Sequence, residues 1–126
     1  MNAPSPAALL RHRPPALLLD TIEAVEDGTI RCTTRGPGPW PWERALEAAA
    51  QAAGLLAGLQ PGGLTNRAVI AEYRDVIVHM SAARGPIRVR AWLERRILAC
   101  WRCRIEARAG DRPLLEGRVT LAPGVR

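Results

Sequence analysis

The stretch Pro41-Trp42-Glu43-Arg44-Ala45-Leu46-Glu47-Ala48-Ala49-Ala50-Gln51-Ala52-Ala53-Gly54 decides how this chain must fold. It reads as a helix with almost no solvated face. Pro41 suits the first helical position, Glu43 complements the positive end of the helix dipole, and Pro61-Gly62-Gly63 stops the run. From Ala45 to Leu59 the only polar side chains are Glu47 and Gln51. Four residues apart, they lie one above the other on a single face. Carboxylates are seldom buried without a partner or a purpose, because desolvation disfavours the charged form. Two readings therefore stand side by side. Glu47 is either a hydrogen-bonded carboxylate at a dimer seam or pocket edge, or a working acid.

The rest of the chain is β in pattern. Residues 1–6 form a loose lead, and Ala7 to Arg13 reads as a short helical turn stopped by Pro14-Pro15. Ala16 to Glu26 reads as a strand, Asp27-Gly28 as a hairpin turn and Thr29 to Thr34 as the return strand. Arg35 to Trp40 is a loop by composition. Beyond the helix, Arg67 to Met80 gives one long strand, bent or bulged. Ile87, Val89, Ala91 and Leu93 then alternate with Arg88, Arg90, Trp92 and Glu94. Trp101, Cys103, Ile105 and Ala107 alternate with Arg102, Arg104, Glu106 and Arg108, and Leu115, Gly117, Val119 and Leu121 with Glu116, Arg118 and Thr120. Strands of period two have one dry and one wet face. One apolar helix with one-sided strands implies a sheet curled around the helix, which Ala48, Ala49, Ala50, Ala52, Ala53 and Gly54 let approach closely. The expected order is β-β-α-β-β-β, an α+β fold with one central helix in a single domain spanning residues 1–126.

At 126 residues the chain is long enough for one core without staples. Its apolar runs are too short for a membrane span, and Pro4 and Pro6 stand where a secretory segment would need an apolar core, so a cytoplasmic location away from membranes is expected. All 18 basic residues are arginine and the net charge is +6. Coding bias explains the missing lysines; the functional alternative is an arginine surface that attracts an acidic partner or phosphate. Nucleic acid fits poorly, since the arginines are scattered at alternate strand positions without an aromatic stacking surface. Cys32, Cys100 and Cys103 are an odd number, which argues against a disulfide framework. Cys100 and Cys103 have redox or zinc spacing, but on a strand residues three apart point to opposite faces, so no metal site and no cofactor is expected.

Two segments carry a family resemblance. Leu10-Arg11-His12-Arg13-Pro14-Pro15-Ala16-Leu17-Leu18-Leu19-Asp20 resembles the N-terminal L-P-H-R-x-P-x-L-L-(V/L)-D signature of the β-hydroxyacyl-acyl-carrier-protein dehydratases. Glu47-Ala48-Ala49-Ala50-Gln51-Ala52-Ala53-Gly54 is similar to their E-A-x-A-Q-A-A-G active-site helix. Their order and separation match as well, and the resemblance spans roughly residues 9 to 122. Pro41-Trp42, where the mainstream enzymes show Pro-Gly, resembles the divergent branch associated with aryl-polyene and related pigment biosynthesis. The resemblance implies the hotdog fold, an acyl-carrier-protein or coenzyme A thioester as substrate, and a pocket shared between two subunits of a homodimer or of a heterodimer with a hotdog homologue.

It also implies residue roles. In the family a His takes the C2 proton of a 3-hydroxyacyl thioester, a helix carboxylate protonates the departing hydroxyl, and the helix N-terminus supplies N–H groups to the thioester oxygen. Carried over, Glu47 is the acid, Gln51 orients it, and Pro41, Trp42 and Tyr73 border the substrate. The family's catalytic His falls about fourteen residues before the helix Glu, where this chain has Thr33. Only His12 and His79 exist. His12 belongs to the N-terminal signature, where the resemblance assigns a structural part. His79, in the same alternation class as Tyr73 and Ile77, is either a displaced base or a satisfied strand histidine. Three functions follow: a dehydratase with a relocated base, a hotdog thioesterase in which Glu47 activates water, or a carrier-protein-binding subunit paired with a catalytic homologue.

Overall fold

The computed structural model describes Ser5, residues 17–63 and residues 68–124. The turn expected at Ala7–Arg13, and His12 within it, lie outside the described residues.

Period-two alternation produces the sheet it predicts. Strands β1 (Leu19–Glu26), β2 (Thr29–Thr34), β4 (Val69–Val78), β6 (Arg88–Ile97), β7 (Cys100–Ala109) and β8 (Arg112–Ala122) form one antiparallel sheet in the order β1-β2-β6-β7-β8-β4. Register aligns the apolar positions into rows that cross it. One row runs Ile30, Ala91, Ile105, Gly117, and the next runs Cys32, Val89, Ala107, Leu115. All eight are buried. The partner class, rich in arginine, takes the opposite face, as alternation requires.

Helix α1 (Trp42–Leu59) lies across the dry face, against β6, β7, β2 and β8. Ten of its residues are buried, among them Ala45, Ala48, Ala49, Ala52, Ala53, Leu55 and Leu56. The alanines let the helix sit close to the sheet, and the two leucines contribute about 1.5–3 kcal/mol each on burial. The helix ends where Gly63 donates its N–H to the Gln60 carbonyl at 2.8 Å. A Cβ at position 63 would overlap the Ala57 carbonyl, so the turn is open only to glycine.

Three features depart from expectation. A second, two-stranded sheet pairs β3 (Trp40–Pro41) with β5 (Ala82–Ala83), so Trp40 leaves the loop its composition suggested and becomes part of the wall at the helix entrance. The first strand begins at Leu19, although Leu17 and Leu18 before it are already buried. The helix, moreover, is not enclosed all round. Glu43, Glu47 and Gly58 are exposed and Gly54 is half-buried, all on one stripe at helical spacing. Among the described residues nothing lies within 4 Å of a Cβ built at Gly54, so that glycine does not serve close approach of a described strand. A six-stranded sheet touches only part of a helix's circumference, and this stripe is the part left over.

The edge strand β4 bends as its sequence suggested. Its register against β8 shifts between Arg74 and Ile77, and Asp75 takes a positive φ of 52°. The bend seats Val76 over Gly117, where an added Cβ would come within 3.1 Å of the Val76 Cα. Gly117 thus occupies an inward position because backbone fills the space a side chain would need.

Candidate functional site

The helix entrance is built from three segments. Pro41 is the N-cap and offers neither a side-chain cap nor an N–H. The Trp42 N–H donates to the Ser81 carbonyl at 3.0 Å, a bond that follows from the β3–β5 pairing. Among the described residues, the N–H groups of Glu43 and Arg44 have no partner, leaving two donors of the first turn open. Beneath them Trp40 is buried with its indole Nε1 unpartnered among the described residues, and the Arg44 guanidinium lies 4.9 Å over its ring. Gly38, at φ 89°, passes so close that a Cβ there would meet the Trp40 ring at 2.7 Å. Pro41 is exposed and Trp42 half-buried. Together these give a helix N-terminus walled by tryptophan with two free amide donors, the kind of place where an oxygen carrying negative charge is stabilised.

The two polar residues of the helix part company. Gln51 is buried, and its Oε1 accepts the Leu18 N–H at 3.0 Å. Glu47, expected in a buried setting, is exposed on the uncovered stripe. A 40° angular offset between positions four apart is enough to put one under the sheet margin and leave the other outside it. Tyr73 on β4 is also exposed, and its phenol pKa is raised, first by partial burial and second by the charge of Glu47. Glu47 and Tyr73 are thus both exposed, and the charge of the one acts on the phenol of the other.

His79 lies elsewhere. Its backbone N–H donates to the Leu114 carbonyl at 2.8 Å, and its Nε2 sits 3.4 Å from Glu116 Oε2 on the outer side of the sheet. Thr33 is half-buried in β2, aligned with Arg88. Its neighbour Thr34 is the buried one, accepting the Ile87 N–H at 2.9 Å. Neither hydroxyl substitutes for an imidazole as a base near neutral pH. The role of Trp40 and the Ser81 contact was not legible in the sequence, because a two-residue strand has no periodicity to detect.

The cysteines do not join the site. Burial pushes the Cys32 and Cys103 thiols up to about 12, with Glu23 and Glu94 respectively adding to the effect. All three cysteines are free. Among the described residues no group of three or more His, Cys, Asp or Glu is placed to hold a metal ion, and no helix is long and apolar enough to cross a membrane.

A sheet wrapped over one long helix, with a β-bulged edge strand, decides the architecture. The chain has the hotdog fold. It is similar to the dehydratase heterocomplex ApeI:P from Xenorhabdus doucetiae, at 18% identity and a TM-score of 0.86, over 99% of this chain and 94% of that one. It is also similar to a variant of a thioesterase from Staphylococcus aureus (18% identity, TM-score 0.64, 81% of this chain and 90% of that one). A variant of a Pseudomonas aeruginosa thioesterase matches at 14% identity and a TM-score of 0.65, over 81% of this chain and 78% of that one. At these identities the likeness is one of fold. No protein-family model and no curated protein sequence matches the chain.

Proposed function

We propose that this protein is a 3-hydroxyacyl-thioester dehydratase-like subunit, acting on acyl-carrier-protein or coenzyme A thioesters, whose site is completed by a second hotdog subunit. The observation that carries this is the place of Glu47. It stands on the uncovered stripe of the helix, where its charge acts on Tyr73 of an edge strand whose outer edge is unpaired among the described residues. That strand exposes Val69, Ile70, Tyr73, Ile77 and Val78. An exposed apolar strand edge next to a helix stripe that the sheet leaves uncovered is a surface that calls for a partner. A partner seated there would enclose Glu47 beside the substrate, where a carboxylic acid can help hydroxide depart.

The chemistry then divides. Glu47 protonates the leaving hydroxyl, the Glu43 and Arg44 N–H groups receive the thioester oxygen, and a base takes the C2 proton. In a homodimer the base falls to His79 or to water held by Glu47. The pairing of His79 with Glu116 favours a heterodimer, in which a homologous subunit supplies the imidazole. The likeness to a dehydratase heterocomplex supports this choice. A thioesterase is the second reading, supported by the thioesterases of like fold and by a carboxylate that needs no His to activate water.

The test assays purified protein, alone and with a His-bearing hotdog homologue, on 3-hydroxyacyl thioesters. Enoyl product should form with the homologue, and Glu47→Gln should lower the rate about a hundredfold or more, the scale of a positioned acid. Release of free thiol instead, lost on Glu47→Gln, would establish the thioesterase. Full enoyl formation by Glu47→Gln would remove the acid role.

A further inference from the structure

The outer face of the sheet carries more arginine than its own carboxylates neutralise. Register sets Arg31 opposite Arg90, Arg88 opposite Arg108, Arg104 opposite Arg118 and Arg118 opposite Arg74. Like charges in direct cross-strand pairs work against the fold. Several are relieved locally. Glu23 lies 3.1 Å from Arg88 and 3.8 Å from Arg31, and Glu106 lies 3.9 Å from Arg108. Arg118 is held by Glu94 at 2.9 Å and Asp75 at 3.3 Å, and Arg74 by Glu72 at 3.3 Å.

Arg90, Arg102 and Arg104 make no such close pair, although Arg90 stands opposite Glu106, whose carboxylate lies 3.9 Å from Arg108. Among the described residues no carboxylate oxygen lies within 4.0 Å of any of them. The guanidinium groups of Arg90 and Arg104 instead lie 4.5 and 5.5 Å from the ring of Trp92, which stands opposite Arg104. Arg102 lies two residues before Arg104 on the same face of β7, and its Nε is buried with no hydrogen-bond partner among the described residues. The tryptophan fixes two cations in place while leaving their forked N–H groups unused, which is pre-organisation for an anion.

We propose that Arg90, Trp92, Arg102 and Arg104 form a docking surface for an acidic segment of a partner protein. Residues two apart on a strand are about 7 Å apart and neighbouring strands about 5 Å, which matches carboxylates one helical turn apart on a partner helix. The carboxylates on this face decide the class of partner. Glu106 stands opposite Arg90, Glu116 lies beyond it on the next strand and Glu94 is held by Arg118, so a continuous phosphate backbone crossing the cluster meets repulsion, whereas a protein can place its own cations over these carboxylates. The Trp92 ring, already covered by guanidinium groups, is closed to base stacking. This face is the wet side of the sheet, opposite the helix, so the surface is independent of Glu47 and of the reading of its site.

The test titrates a fluorescently labelled helical peptide with glutamates at every fourth position, and a short DNA duplex of equal charge, with the full chain at low salt. The protein should bind the peptide more tightly than the duplex. Arg90→Gln/Arg104→Gln should weaken peptide binding by about tenfold or more, as loss of two charge-assisted contacts implies, and Arg102→Gln should act in the same direction. The double variant Arg84→Gln/Arg112→Gln, which removes equal charge from two exposed arginines elsewhere, should change it less than about twofold. Equal weakening by both double variants, absence of peptide binding, or duplex binding as tight as peptide binding would overturn the proposal. Because Arg102 stands outside the Trp92 stack, its variant keeps the test decisive should the double variant fail to fold.

Discussion

Replacing Gln51 with leucine separates a structural from a positioning role for the second polar residue of the helix. Family resemblance implies that Gln51 orients Glu47. The structure shows its Oε1 accepting the Leu18 N–H at 3.0 Å, with both residues buried. Leucine is close in size but cannot accept that hydrogen bond, and Leu18 would keep an unsatisfied donor where water does not reach it. Such a donor costs about 1–3 kcal/mol. With 126 residues and an unfolding entropy of about 2.1 cal/mol/K per residue, that loss lowers Tm by roughly 4–11 °C. Circular-dichroism melts at fixed protein concentration measure the shift, with Gln51→Glu as a companion that keeps an acceptor but buries a charge. A Gln51→Leu melt within about 2 °C of the native protein, accompanied by lost activity, would refute the reasoning and return Gln51 to a positioning role.

Other outcomes follow from the same structure. Native protein should sediment as a dimer at tens of micromolar, and Ile77→Asp, which charges an exposed position on the β4 edge, should yield monomer; a native monomer would sink the shared site. A colorimetric thiol reagent at pH 8 should modify Cys100 alone in the native state and all three cysteines after denaturation, whereas a second fast thiol would contradict the burial of Cys32 and Cys103. Stability should fall as pH rises from 9 toward 12. Over that range the unfolded chain releases thiol protons that the folded chain keeps on Cys32 and Cys103, at up to about 1.4 kcal/mol per pH unit for each. Urea unfolding at pH 8 and 10.5 should show a smaller loss in Cys32→Ala/Cys103→Ala; an equal loss would mean the thiols are not the cause. Tyr73 adds to the alkaline loss in the same direction.

The helix, the strands and their inward faces were legible because each depends on a local period. A run of alanine and leucine without a wet face specifies a central helix, and alternation along β2, β6, β7 and β8 specifies which side chains meet it. The bulge in β4 was legible in outline from the length of its run. Cys100 and Cys103 were readable as strand cysteines for the same reason, since a period of two sends residues three apart to opposite faces.

What the period could not carry was anything set by distant segments. The β3–β5 pairing joins residues some forty positions apart through two short strands without pattern, and it alone makes Trp40 a wall and consumes the Trp42 N–H. Glu47 and Gln51 look equivalent along the helix, yet the margin of the sheet covers one and not the other. His79 falls in the alternation class of Tyr73, but the register shift at Asp75 and its bond to the Leu114 carbonyl turn it toward Glu116. Sequence by itself determined the fold, because burying one apolar helix under one-sided strands has a single economical solution. Tertiary structure decided the site, because exposure, bond partners and the open stripe beside β4 depend on where the sheet ends.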